Sequence, residues 1–595
     1  MNNADEKQKN SKKIMAVYLY AIIAFLVSFI IHIIPVFFYK LPSAPPDELG
    51  ALSMGASVSG YDWSFLVSSH GTYYSFVSSL PIIPLFYIFK NSLVLYFFSR
   101  VWISILLSIP TIIAYIIIIK HLNIKNSFKV FLVSVSVSFF HNTSAVMFTN
   151  EAAIILLVWI TIYLIIELVS TKAIWKKIVL EVFIGITYAV STWCHTKCLV
   201  LAIPIGITLI LFSIINKKFL FIFCSAFSSI AVYFVGGLIK KSYKSVVYSN
   251  LETVLENNTI IADQTGNILD ILKAIGLQKT IISVITVFVT NLNGIVLYSC
   301  LIILPIAVIS FFLIRDYIFK RKNINDAAAV ITIFCFSGLM MYLLLMGGYH
   351  CYHGYAVSEG IIVGNGRFLF YLRYLLQTMP PLLIVILYND EIKLVKDSKV
   401  FFASCGLFVA CVVLLYAFFG INIINHEIPS FDVGKIFGLG IEYFKRFDGW
   451  NYYLVGIKSI FIFFCVLTYC HNSKMSKVIW WLLVCALFIF RQNMQDYSDL
   501  YPSSEREWGS IEATYKEYGN NKDFCEKYER IYVKNSIFKM EYCVQLLFPN
   551  MEVRPYDGEE LGSKDILFSG EQLELGDYCE AVLDEDEYVY YAYQK

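Results

Sequence analysis

The chain has 595 residues, of which 58% are hydrophobic and only 15% charged, whereas an ordinary soluble chain is roughly a quarter charged. Its mean hydropathy of +0.64 excludes a soluble fold. The net charge of +2 gives no sign of a nucleic-acid surface, but it hides an asymmetry: after Asn493 acids outnumber bases by about two to one, ending in Asp584-Glu585-Asp586-Glu587.

Apolar runs of about 20 residues, the length that crosses a roughly 30 Å hydrocarbon core, recur along the chain. They predict an α-helical polytopic membrane protein of about thirteen transmembrane helices. The spans fall near 14–38, 92–119, 128–147, 151–169, 178–193, 198–215, 219–239, 294–314, 327–347, 368–388, 400–421, 453–470 and 476–490. The run 281–290 reads either as an interfacial helix or as part of the eighth span. Four longer connections remain, at 39–91, 240–280, 348–367 and 422–452, and interfacial helices are expected in the first. Residues 1–491 thus form a membrane domain and 492–595 a small α/β domain, helix-like at Glu505 to Tyr518 and strand-like at Arg530 to Val533 and Tyr588 to Tyr593. Most of the fourteen Cys lie scattered in apolar runs, without a CxxC or Cys/His metal spacing. Cys525, Cys543 and Cys579 in the tail leave room for one disulfide.

Short cytoplasmic loops retain Lys and Arg. Lys7, Lys9, Lys12 and Lys13 precede the first span, and alternate connections carry Lys120/Lys125/Lys129, Lys172/Lys176/Lys177, Lys217/Lys218, Arg315/Lys320/Arg321/Lys322, Lys393/Lys396/Lys399 and Lys474/Lys477. This pattern predicts a cytoplasmic N-terminus and an extracytoplasmic tail in a cell membrane.

The candidate chemistry lies at the outer ends of the spans. Pro45-Pro46-Asp47-Glu48 follows the first span directly. Acids flanking a span are commonly just solvated, but a carboxylate at the edge of hydrocarbon can also have a raised pKa and act as a general base. Glu151 opens the fourth span after Thr149-Asn150, either as an acid favoured by the helix dipole or as a functional group close to hydrocarbon. His195-Thr196-Lys197 fills a turn between two runs, where a Lys either snorkels to lipid phosphates or faces a substrate. Arg367 and Arg373, six residues apart, enter the tenth span ahead of Pro380-Pro381, and a planar guanidinium at that depth suits a phosphate. Tyr73 and Tyr74 in the first outer segment read as sugar contacts or as part of an aromatic belt.

In Asp47-Glu48, Thr149-Asn150-Glu151, Lys197 and Tyr371-Leu372-Arg373-Tyr374 followed by Pro380-Pro381, the chain resembles the GT-C superfamily of polyprenyl-phosphate-sugar-dependent membrane glycosyltransferases, in particular bacterial relatives of protein O-mannosyltransferase and lipid A aminoarabinose transferase. That resemblance implies an inverting hexosyltransferase-class enzyme. Asp47 would be the base, and Glu48 and Glu151 would orient the acceptor or help hold a divalent cation if one is used. Lys197, Arg367, Arg373 and His195 would bind the donor phosphate, and Tyr73, Tyr74 and Tyr374 the substrate. The implied partners are a polyprenyl-phosphate sugar, membrane lipid and a cell-envelope glycan, lipid or protein acceptor, with no nucleic acid. A polysaccharide polymerase or ligase would share the phosphate clamps without needing the acidic pair. A lipid-linked sugar flippase would carry charges near the midplane and paired halves, neither of which the sequence shows clearly.

Overall fold

The structure, a computed structural model, describes residues 2–69, 75–125, 127–141, 143–217, 222–248, 272, 273, 275–299, 301–319, 323–351, 355, 376–425, 474–494, 496, 501–519, 522–534, 540–570, 572, 573, 579–585 and 588–594. Among these, nine helices are long and apolar enough to cross a membrane, and the protein is a multi-pass membrane protein with a small α/β part at its C-terminus.

The helices of the bundle are α1 (Asn2–Val36), α5 (Ser92–Ile116), α6 (Ser127–Val137), α7 (Glu151–Ser170), α8 (Ile174–Cys194), α9 (Ala202–Asn216), α10 (Ile222–Val247), α11 (Leu277–Tyr298), α12 (Ile303–Ile318), α13 (Asp326–Tyr349), α14 (Leu383–Ile392), α15 (Asp397–Asn425) and α16 (Lys474–Met494). Between α1 and α5 lie the short helices α2 (Pro45–Val58), α3 (Ser64–Ser69) and α4 (Ile83–Ile88). Expected spans at 453–470 and over 368–375 lie outside the described residues.

Three expected spans differ: the described part of the run 368–388 becomes α-helical only at Leu383, after 3₁₀ turns at Leu376–Thr378 and Pro380–Leu382, and one residue accounts for the other two. The run 128–147 is helical only to Val137, and the run 294–314 is divided between α11 and α12, with turn residues Ser299, Leu301 and Ile302 between them. Arg491 of α16 is buried and donates to the Tyr298 carbonyl at 2.9 Å, to the Phe139 carbonyl at 2.9 Å and to the His141 carbonyl at 3.4 Å. One guanidinium therefore satisfies free carbonyls at or just beyond the C-terminal ends of α6 and α11, where a cation also meets the negative ends of both dipoles. Ser299 Oγ then accepts from the Ile303 amide at 3.2 Å and starts α12, with Leu301 in the left-handed region. The segment 281–290 belongs to the span α11, not to an interfacial helix. Asn291 and Asn293 donate back to the Val287 and Val289 carbonyls, so their amides are absorbed within the helix.

Close helix contact rests on small residues, as in other membrane bundles. A Cβ on Gly185 of α8 would lie 2.1 Å from Ser228 Oγ and 2.3 Å from the Ser225 carbonyl oxygen of α10, whereas one on Gly237 would meet nothing within 4 Å. Gly185→Ala is expected to cost about 1–3 kcal/mol through overpacking against backbone, and Gly237→Ala close to nothing. Thermal unfolding of the two purified variants checks this; equal melting temperatures would remove the packing argument.

The two ends of the bundle differ in chemistry. At one end Lys129 of α6, Lys393, Asp390 and Glu391 of the α14 region, Asp397 of α15 and Lys477 of α16 form a charge-balanced lattice. Lys129 lies 3.1 Å from Asp390 and 3.2 Å from Glu391, Lys393 lies 3.2 Å from Asp397, and Lys477 bonds Asp390. Lys120 pairs with Glu167 at this same end. The bases from alternate connections thus gather on one face, opposite α2.

At the α2 end sits the α/β part: helices α17 (Tyr501–Tyr518), α18 (Lys522–Lys527) and α19 (Met540–Leu547) and strands β1 (Arg530–Lys534), β2 (Glu552–Pro555), β3 (Asp565–Ser569), β4 (Cys579–Glu585) and β5 (Tyr588–Gln594). The sheet order is β2-β1-β3-β5-β4, with β1 parallel to β2 and β3, and β5 antiparallel to β3 and β4. Ile531, Val533, Val553, Ile566 and Phe568 join the core shared with α17 and α19, while Tyr532, Leu567 and Tyr593 pack with Tyr556 and Leu561 on the other face. Cys543 is a buried free thiol donating to Glu507, so it is excluded from a tail disulfide; burial pushes its pKa well up. The side chains of Cys525 and Cys579 lie outside the described residues.

Candidate active site

Pro45 and Pro46 occupy the first positions of α2, where a fixed φ and a missing N–H cost nothing. Asp47 and Glu48 follow in the first turn, where the helix dipole favours acids. Their environments then diverge. Glu48 is fully buried: Oε1 accepts from the Ser43 and Ala44 amides at 2.8 and 3.0 Å, and Oε2 accepts from Tyr96 Oη at 2.5 Å and the Phe148 amide at 2.8 Å. Burial pushes its pKa up, and the Phe148, Tyr96 and Ala44 hydrogen bonds and the Arg100 charge oppose that rise. Arg100 is held in turn by the Tyr39 carbonyl at 2.7 Å and by the Tyr96 ring, 4.0 Å away.

With both oxygens engaged by the protein, Glu48 fixes the start of α2 against α5 and the 138–150 segment, and so fixes Asp47. Asp47 itself is half-buried. Glu48→Ala leaves several buried donors without an acceptor and is expected to destabilise the protein by about 3 kcal/mol. The check is thermal unfolding of the purified variant; an unchanged melting temperature would contradict the positioning role.

Glu151 stands in the first turn of α7. Opposite it, α8 ends at His195, whose extended backbone turns the chain into the 3₁₀ turn Thr196–Leu201. His195 Nδ1 accepts from the Lys197 amide at 3.1 Å, so the half-buried imidazole shapes the turn that carries Lys197. Lys197 Nζ then lies 3.6 Å from Glu151 Oε1, with both side chains buried. Phe148, bonded to Glu48, is three residues before Glu151, which limits their Cα separation to about 11 Å. The acidic pair of α2 and the Glu151–Lys197 pair therefore share one end of the bundle.

Asn150, next to Glu151, ties the 75–78 segment to the start of α7, donating to the Ser75 carbonyl and accepting from the Ser78 amide, each at 3.3 Å. Tyr73, Tyr74, Arg367, Arg373 and Tyr374 lie outside the described residues. Tyr96, Arg100 and Asn150 escaped the sequence reading; an Arg inside the apolar run 92–119 was the available signal. Among the described residues no group of three His, Cys, Asp or Glu could hold a metal.

The α/β part seats directly on this end. Trp63 Nε1 donates to the Pro549 carbonyl at 3.2 Å, Ser92 Oγ to the Leu547 carbonyl at 3.2 Å and Tyr542 Oη to the Leu66 carbonyl at 3.4 Å. Arg554 stacks over Phe65 at 4.7 Å, and Lys40 lies 3.7 Å from Glu512 and over Trp508.

No protein-family description matches the chain, and no curated protein matches it. Among solved structures, ArnT from Cupriavidus metallidurans, crystallised bound to undecaprenyl phosphate, is similar with a TM-score of 0.49 and 10% identity over 97% of each chain.

Proposed function

We propose that the protein is an inverting glycosyltransferase that moves a sugar from a polyprenyl-phosphate donor to a hydroxyl of a cell-envelope acceptor. The observation that carries this reading is the placement of Asp47 and the Glu151–Lys197 ion pair at one end of the bundle, against the α/β part. That end is assigned to the outer face of the cell membrane, because the Lys-rich connections gather at the other.

In the proposed reaction the acceptor O–H gives its proton to Asp47 as its oxygen bonds to sugar C1, and the bond from C1 to the phosphate oxygen breaks on the opposite face. The polyprenyl phosphate leaves with the electron pair. Lys197, with Arg367 and Arg373 from the tenth predicted span, neutralises the developing charge, which is the main way a protein lowers such a barrier. Glu48 holds the base in place, Glu151 orients both Lys197 and the acceptor, and Tyr73, Tyr74, Tyr374 and His195 contribute to the donor and sugar contacts.

The test is transfer of labelled sugar from a polyprenyl-phosphate donor by purified protein in lipid nanodiscs. A glycosidic product with inverted anomeric configuration is expected. Flux of donor across sealed vesicles without any such product would replace this reading with transport.

A further inference from the structure

Among the buried polar side chains that glycosyl transfer leaves without a use are Tyr342 of α13, and Gln377 and Thr378 in the turn before α14. All are 2% exposed or less, and among the described residues Tyr342 Oη, both polar atoms of Gln377 and Thr378 Oγ1 have no hydrogen-bond partner. Many such groups in the same bundle are satisfied. Thr161, Thr187, Thr208 and Thr332 each donate to the carbonyl four residues earlier, and Tyr317 and Tyr388 bond to Asp326 and the Asn325 amide. Other unpartnered hydroxyls and indoles, among them Thr111, Ser134, Ser310, Trp102, Trp193 and Trp481, are scattered over α5, α6, α8, α12 and α16.

Tyr342, Gln377 and Thr378, by contrast, gather beside the Glu151–Lys197 pair. The 376–378 turn touches α7 and α13, and a Cβ on Gly338, one turn before Tyr342, would lie 3.0 Å from the Thr378 methyl. Tyr342 is within electrostatic reach of Cys198, and Cys198 of Lys197 and Glu151. Unpaired polar groups in a dry interior are expensive, and a native site keeps them where a ligand completes them.

Resting on the glycosyl-transfer reading, we propose that Gln377, Tyr342 and Thr378 form the wall that binds the donor's sugar ring, and that this ring is an uncharged polyhydroxylated one. An amide and two hydroxyls both donate to and accept from sugar hydroxyls. None offers a counter-charge, and the neighbouring Glu151 and Lys197 are paired with each other, so an amino or acid substituent would arrive there unpaired, and sites built to hydrogen-bond hydroxyls reject mismatched analogues strongly.

The test is the melting temperature of the full chain in nanodiscs with three probes: a short-chain polyprenyl phosphate, the same lipid bearing glucose, and the same lipid bearing an amino sugar. The glucose lipid is expected to stabilise the wild type beyond the bare phosphate, and the amino-sugar lipid is not. Gln377→Leu and Tyr342→Phe are expected to weaken the glucose-lipid affinity by about tenfold or more, to retain the shift from the bare phosphate, and to melt, without ligand, no lower than the wild type. Either variant keeping the full glucose-dependent shift, losing stability without ligand, or an amino-sugar lipid binding as well as the glucose lipid overturns the proposal while leaving glycosyl transfer standing. If neither the bare nor the glucose lipid shifts the wild type, the glycosyl-transfer reading fails and takes this one with it.

Discussion

Asp47→Asn is expected to lower the rate of sugar transfer by about 10²- to 10⁴-fold, the range that a positioned general base contributes, without lowering stability by more than about 1 kcal/mol. The adjacent acids make this a sharp comparison. Both stand in the first turn of α2, so any contribution to the helix dipole is shared, and Asn keeps the shape of Asp. Glu48 is enclosed by the Ser43 and Ala44 amides, Tyr96 and the Phe148 amide, whereas Asp47 is only half-buried. The expected pattern is therefore a kinetic defect at position 47 and a stability defect at position 48. Labelled-sugar transfer and thermal unfolding measured on the same preparations separate the two. Undiminished turnover in Asp47→Asn removes Asp47 from the base role, and a rate loss matched by unfolding makes it structural.

How far the sequence could be read depended on whether a feature was set by local composition or by contacts between distant residues. Eight of the nine long spans among the described residues stand close to where hydropathy places them, because a 20-residue apolar run in lipid has to satisfy its own backbone, and a helix does so. The third and eighth did not, since hydropathy cannot register that Arg491, hundreds of residues from Phe139 and Tyr298, takes up the carbonyls at both helix ends. The Pro-Pro-Asp-Glu start of α2 was legible from local rules for helix N-termini. What the sequence could not show was the division of labour within it, because Glu48 is defined by Tyr96 and Phe148, which lie about 50 and 100 positions away. Likewise Glu151 and Lys197 were separate candidates until the turn shaped by His195 brought them to 3.6 Å.

That ion pair carries the second large expected effect. Lys197→Met and Glu151→Gln each remove one charge from a buried pair, and each is expected to cost about 3–5 kcal/mol because the partner stays buried beside a neutral group. The double variant Glu151→Gln/Lys197→Met removes both charges together, so most of that loss is expected to return, giving a coupling energy of at least about 2 kcal/mol in the cycle. Catalysis is expected not to return with stability. If Lys197 neutralises the departing phosphate, the refolded double variant still lacks the cation that acts in the transition state, and its turnover is expected to stay about 10²- to 10³-fold below the wild type. The cycle therefore separates two roles that single substitutions confuse. Recovery of stability together with transfer would make the pair a structural staple, as the Asp390 lattice at the other end is, whereas recovery of stability alone assigns Lys197 to the leaving group.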